Sequence, residues 1–371
     1  MKISTTLFRR SLLSGMVGVL MFALVAAPAS AQIQIKNDDV TINFGFGGQF
    51  WTDWLQDATA ATAGNQGYSQ SFELRRARFL LGGNFGPNIS FFFDTDDPKL
   101  GLTPKNLSTG FIIQDAWLEY KVNNYFALTG GEMLLPSSRQ NLQSPFSLYT
   151  LDFSAVSTIS ISALQESGFR DMGLQARGYF FNDHFQYRGG VFEGERDANG
   201  RDALHPALYL QYDFFSPEKE YAYTGTALGK RKILAFDVGG DKQSSYRSES
   251  ANIASDTPVN GGDEAGLNLT YYHFDGRNKF TAIPDQNNFL GEFDYYIHQA
   301  KFQPFLKWET QRFVAAVNNT KDINRIGFGA NYYVRAQNLK FTFQWLRAQP
   351  QNGSTIRPSN ELTMQMQAFY F

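Results

Sequence analysis

The chain reads as an all-β protein, a 16-stranded antiparallel transmembrane β-barrel with its third loop folded inward. Three observations predict this. Apolar and polar residues alternate with a period of two along most of the sequence, and long connections alternate with short ones. A leader for export is followed by no run apolar enough to make a membrane helix.

The leader comes first. Lys2, Arg9 and Arg10 precede an apolar run from 12 to 27, and Ala29-Ser30-Ala31 supplies small residues for cleavage. Residues 1–31 are therefore expected to be a cleaved signal peptide, and 32–371 the barrel domain. Cleavage removes three positive charges and leaves 30 Lys+Arg against 35 Asp+Glu, a net of −5. With no Cys, an exported chain cannot use disulfides. An aromatic share of 16% beside a charged share of 18% leaves a large soluble β protein or an outer-membrane barrel.

The strands carry the distinction. Val40, Ile42, Phe44, Phe46 and Phe50 lie opposite Thr41, Asn43 and Gln49, and Ala77, Phe79 and Leu81 lie opposite Arg76 and Arg78. Leu118, Tyr120 and Val122 oppose Asp115, Trp117 and Glu119. Ile326, Phe328 and Tyr332 oppose Arg325 and Asn331, and Phe341, Phe343 and Trp345 oppose Lys340, Thr342 and Gln344. An aromatic face toward lipid and a charged face toward water give this pattern, although a soluble sandwich alternates too.

Connection lengths break the tie. Seven segments read as turns: 86–88, 123–124, 182–183, 216–218, 275–278, 297–301 and 336–338. Eight longer polar segments are centred near 62, 103, 150, 199, 253, 286, 317 and 354. Fifteen connections make sixteen strands with both termini at the turn end, and a barrel of that size encloses an aqueous channel. The segment from 129 to 171 stands apart because alternation lapses there, and a connection this long is usually functional. Folded inward, it would set the width and charge of the lumen. At the far end the alternation slips at Ala368-Phe369, which predicts a bulge or a frayed end.

Several stretches resemble the phosphate-selective porin family, porins O and P. They are Phe72-Glu-Leu-Arg-Arg-Ala-Arg78, Gln114-Asp-Ala-Trp-Leu-Glu-Tyr120 and Gly131-Glu-Met-Leu-Leu-Pro-Ser-Ser-Arg-Gln140. Further on come Phe169-Arg-Asp-Met-Gly173, Phe185-Gln-Tyr-Arg-Gly-Gly-Val-Phe-Glu-Gly194, Gly225-Thr-Ala-Leu-Gly-Lys-Arg-Lys-Ile-Leu234 and Gly329-Ala-Asn-Tyr-Tyr333. The C-terminal Phe371 resembles the insertion signal of bacterial barrels. The resemblance implies a homotrimeric porin in the outer-membrane lipid of a Gram-negative bacterium. Its third loop would constrict a pore lined by basic residues, and small hydrophilic solutes or inorganic anions such as phosphate would pass. The chain departs from the family in its acidic balance and in Asp152-Phe-Ser154, where relatives more often have Arg after the Asp.

Arg76, Arg78, Arg177 and Arg188 share lumen parity with polar neighbours, and Arg139 lies in the insert. Guanidinium groups stay charged and fork onto anion oxygens, so a column of them suits anion passage. Alternatively they pair with Asp94, Asp115, Glu119, Glu132 and Asp171 and hold wall and insert together. Asp94-Thr-Asp-Asp97 lacks the Gly and Glu of a calcium loop and is expected to be a solvated acid cluster. Gly45-Phe-Gly-Gly48 is expected to relieve wall curvature. Four scattered His and no Cys predict neither a metal nor a cofactor, and no phosphate loop or nucleic-acid footprint is present. Besides a porin, a lipase-like barrel enzyme or a loop-plugged structural barrel would fit, but lipid-facing His273 has no Ser beside it in sequence.

Overall fold

The computed structural model describes residues 33–98, 101, 110–351, 353–354 and 356–371, so the expected leader at 1–31 lies outside the described residues. Seventeen strands form among the described residues. They are β1 (Ile33–Asn37), β2 (Val40–Gln56), β3 (Tyr68–Phe85), β4 (Ile89–Asp96), β5 (Ile112–Lys121), β6 (Ala127–Leu134), β7 (Arg170–Phe180), β8 (Phe185–Phe192) and β9 (His205–Asp213). The second half holds β10 (Ile233–Gln243), β11 (Tyr246–Pro258), β12 (Glu264–Asp275), β13 (Gln286–Tyr296), β14 (Phe302–Phe313), β15 (Ile323–Arg335), β16 (Leu339–Pro350) and β17 (Ser359–Tyr370). Each of β2–β17 pairs antiparallel with the next, and β17 closes on β2 from Glu361 opposite Leu55 to Tyr370 opposite Phe46. The sixteen expected strands are therefore β2–β17. The extra strand β1 pairs with 40–44 of β2, beyond the point where β17 ends.

The two faces divide as the alternation predicts. Phe44, Phe46, Phe79, Leu118, Phe328 and Tyr332 are exposed outward, while Gln49, Asp115, Glu119, Asn331, Thr342 and Gln367 are buried inside. No helix among the described residues is long and apolar enough to cross a membrane.

Three connection assignments need correction. The region near 253 is not a loop but strand β11, reached by the two-residue turn at 244–245, where Ser244 has φ 54°. Its inward residues are Ser248, Ser250, Asn252 and Ala254, so the contrast between faces is weak. The turn after β11 lies at 259–263, and 276–285 forms one loop-end connection rather than a turn and a separate loop near 286. Third, the connection around 216–218 spans 214–232 and is no tight turn. It folds into the lumen from the turn end, opposite the insert at 135–169.

The C-terminal phase slip is neither bulge nor fray. Pairing runs unbroken through Tyr370, and Phe369 faces inward to stack on Phe146 of the insert with ring centroids 4.5 Å apart. Gly47 serves the same seating: a Cβ there would collide with the Phe146 ring. Its role is close approach of the insert, not wall curvature alone.

Candidate functional site: a lumen crossed by two segments

Irregular backbone inside a barrel must satisfy its polar groups with protein or trapped water. The wall supplies the donors. Gln49, Gln367, Lys340, Asn331 and Lys307 donate to the carbonyl oxygens of Pro145, Phe146, Leu148, Tyr149 and Asp152, at 2.6–3.1 Å. The apolar side of the insert packs Val156 and Leu164 among Tyr246, Tyr272, Phe274, Ile283 and Leu290. The second segment hangs from Gln186, Tyr179 and Arg188, which donate to the carbonyls of Glu218, Lys219, Glu220 and Tyr221. The two segments also meet. Tyr223 N–H donates to Leu142 O at 2.6 Å, and Ser144 N–H donates to Tyr223 O at 2.9 Å.

Asp152 is the charged anchor of the insert. Arg75 and Arg76 both lie 2.7 Å from its carboxylate, one on each oxygen. Adjacent strand residues normally face opposite ways, but β3 carries a bulge opposite Gln49/Phe50 that sends Arg75 inward as well. Sequence parity therefore found Arg76 and missed Arg75. Burial pushes the Asp152 carboxyl up, yet Arg75 and Arg76 outweigh it and hold it below the usual carboxylate range.

Arg78 bridges Asp94 at 2.9 Å and Asp96 at 3.0 Å. This corrects the solvated acid cluster expected at 94–97: Asp94, Asp96 and Asp97 are all buried, because Arg78 on the neighbouring strand draws the first two inward. Arg177 forks onto Glu119 at 2.5 and 2.7 Å, and Thr129 completes that carboxylate. This pair lines a cavity of about 160 Å³ at the turn end with Lys121, Tyr179 and Lys219. Asp115 takes Arg170, absent from the sequence candidates, together with the Tyr221 hydroxyl.

Arg139 reaches across from the insert to Glu218 of the second segment at 2.8 Å, fully shielded from solvent. Tyr223 lies between two guanidinium groups, with Arg139 5.0 Å and Arg188 4.8 Å from its ring centre. Arg188 forms no ion pair among the described residues, and two carbonyls hold it instead. Of the acid candidates, Glu132 is not brought to an Arg. It pairs in register with Ala116 and Met172, whose side chain is exposed outward, because strand parity puts it on the outer face. Asp171 meets His205 rather than an Arg, at 3.4 Å.

Charge is thus divided around the wall. Arg75, Arg76, Arg78, Arg170, Arg177 and Arg188 lie on β3, β7 and β8. On β9–β13, which continue the wall from β8, lie buried Asp213, Asp237, Asp241, Asp256, Glu264 and Asp294. Of these, Glu264 takes Thr226 and the Gly229 N–H, Asp294 takes Gln303, and Asp241 meets His205. The three donors Glu166, His205 and Asp241 also converge, with ligand atoms within 4.8 Å of one another. Burial, with Asp241 beside it, pushes the Glu166 carboxyl up to about 8.

Known proteins agree with this architecture. The chain is similar in fold to the outer-membrane channel DcaP of Acinetobacter baumannii at 11% identity and a TM-score of 0.58, over 91% of this chain and 99% of that one. It is similar to an anion-selective porin from Comamonas acidovorans at 10% identity and a TM-score of 0.58, over 90% of this chain and all of that one. OmpT of Vibrio cholerae in its trimer form matches at 11% identity and a TM-score of 0.57, over 90% of this chain and all of that one. No curated protein matches the chain. The sequence model of phosphate-selective porin O and P matches residues 44–229. With sixteen strands around a charged lumen and a match over half its length, the chain belongs to the phosphate-selective porin O and P family and is an outer-membrane porin.

Proposed function

We propose that the channel passes small hydrophilic solutes and modestly prefers anions, phosphate among them, along the side formed by β3, β7 and β8. The observation that carries this reading is the cluster of Arg139, Arg177 and Arg188 around Tyr223 and the turn-end cavity. Arg188 keeps a permanent charge beside Tyr223 that no salt bridge among the described residues offsets. Low-dielectric walls focus such a charge on whatever passes. The carboxylates on β9–β13 temper the preference and draw cations along their own face. A homotrimer fits the family and the trimeric OmpT, and a cleaved leader at 1–31 fits export to the outer membrane.

Planar-bilayer recordings across a KCl gradient test the reading. The expected reversal potential lies slightly toward anions, phosphate lowers the chloride current, and Arg188→Gln moves the reversal potential toward cations. A cation-ward reversal potential in the unaltered protein, with no effect of phosphate, would contradict it.

A further inference from the structure

We infer that Glu166, His205 and Asp241 form a site for a divalent transition ion such as Zn²⁺, which fastens the insert to the wall at β9 and β10. The three residues come from the insert, the start of β9 and the end of β10. Their donor atoms lie within 4.8 Å of one another, and all three side chains are buried. The second observation is Glu166 itself. It is 9% exposed, and both of its carboxylate oxygens are buried without a hydrogen-bond partner. Carboxylates removed from water are ordinarily paired or coordinate a metal. Glu166 forms no ion pair with Lys or Arg among the described residues.

The surroundings suit a cation. Asp171, Glu166 and Asp241 surround the one imidazole of His205. His205 Nε2 lies 2.6 Å from Asp241, and Nδ1 lies 3.4 Å from Asp171. Asp171 is held in turn by the Met172 and Gly194 N–H groups at 2.7 and 2.8 Å. A ligating His commonly donates its second ring N–H to a carboxylate, so Asp171 orients the ring and leaves Nε2 for the metal. Asp241 is steadied by the Ser248 hydroxyl. Zinc bonds of about 2.0–2.2 Å in a tetrahedron need donors about 3.4 Å apart, so binding opens the 2.6 Å His205–Asp241 contact and draws Glu166 in toward both. With one nitrogen and two carboxylates and no thiolate, Zn²⁺ and Co²⁺ fit better than soft ions do. Sequence spacing does not show this cluster, because its donors come from three separate elements.

The test uses the full-length barrel, purified in detergent and stripped with chelator. Zn²⁺ is titrated by calorimetry and Co²⁺ by visible absorption, and heat-modifiable gel migration confirms the folded barrel. The expected result is one ion per chain, with affinity at least tenfold weaker in Glu166→Gln and in Asp241→Asn, and with the Co²⁺ bands altered in His205→Ala. Glu195→Gln, in the 193–204 connection where Glu195 pairs with Lys279, should bind like the unaltered protein. Equal binding by the unaltered protein and Glu166→Gln, or none by either, would overturn the site and leave Glu166 holding a proton. Loss in Glu195→Gln matching that in Glu166→Gln would place the ion at that connection and overturn it too. Asp241→Asn decides the question if Glu166→Gln does not fold.

Discussion

The insert at 135–169 and the connection at 214–232 enter the barrel from opposite ends and are held by different chemistry. The insert rests on the wall mainly through neutral amides and amines that donate to its carbonyls, with Asp152 as its charged anchor to the wall, near the edge of solvent. The second segment depends on guanidinium groups, Arg188 on its carbonyls and Arg139 on Glu218, in full burial. A neutral hydrogen bond contributes about 0.5–1.5 kcal/mol, whereas breaking a buried ion pair costs about 3–5 kcal/mol. One segment is therefore fastened at many weak points and the other at a few strong ones. Losing one partner should damage the second segment more.

The largest effect is expected at Glu218→Gln. It leaves Arg139 buried without its carboxylate and should cost about 3–5 kcal/mol, read as a lowered denaturant midpoint in detergent. Asp152→Asn should cost less, about 1.5–3 kcal/mol, because Asp152 and Arg75 side chains keep 19% and 21% of their exposure. An Asp152 loss equal to or above the Glu218 loss would break the comparison.

The sign of the pH response follows from Asp152. Its folded pKa is depressed, so its contribution is fully present above the ordinary value of about 3.9 and lost only as pH falls through the lower folded value. The stability difference between the unaltered protein and Asp152→Asn should therefore hold from pH 7 to about 4 and shrink only below that. Shrinkage already near pH 6 would show that the two arginines do not depress the group. The smallest effect is expected at Lys219→Ala. This residue pairs with Asp183 across the turn-end surface with 43% of the side chain exposed, and about 0–1 kcal/mol is expected in the same measurement.

The sequence shows the wall and the insert plainly, because a lipid-facing face must be apolar and a lapse in alternation stands out against it. The second segment was hidden for a physical reason. Tyr221 and Tyr223 are aromatic as wall residues are, but they point at Asp115 and Gln186 inside the lumen. Arg76, Arg78 and Arg177 were found by parity and Arg75 was not, since one bulge reverses parity without marking the sequence. Arg170 and Glu218 act across long chain separations, to Asp115 and Arg139, that period-two patterns do not encode. Glu132, read as a lumen partner where the alternation lapses, instead lies on β6 in register with outward Met172.

The meeting of the two segments inside the lumen is the central claim, and the absence of Cys makes it directly testable. Gln143 and Tyr223 are bridge partners, one from each segment. Neighbouring backbones of this kind bring Cα atoms within the roughly 4.4–6.8 Å that a disulfide spans. Gln143→Cys combined with Tyr223→Cys should oxidise to an intramolecular disulfide in the folded barrel, seen as a gel shift that reductant reverses, while each single variant shows none. A folded double variant that stays reduced under oxidant would contradict the account, because it would place the two segments apart.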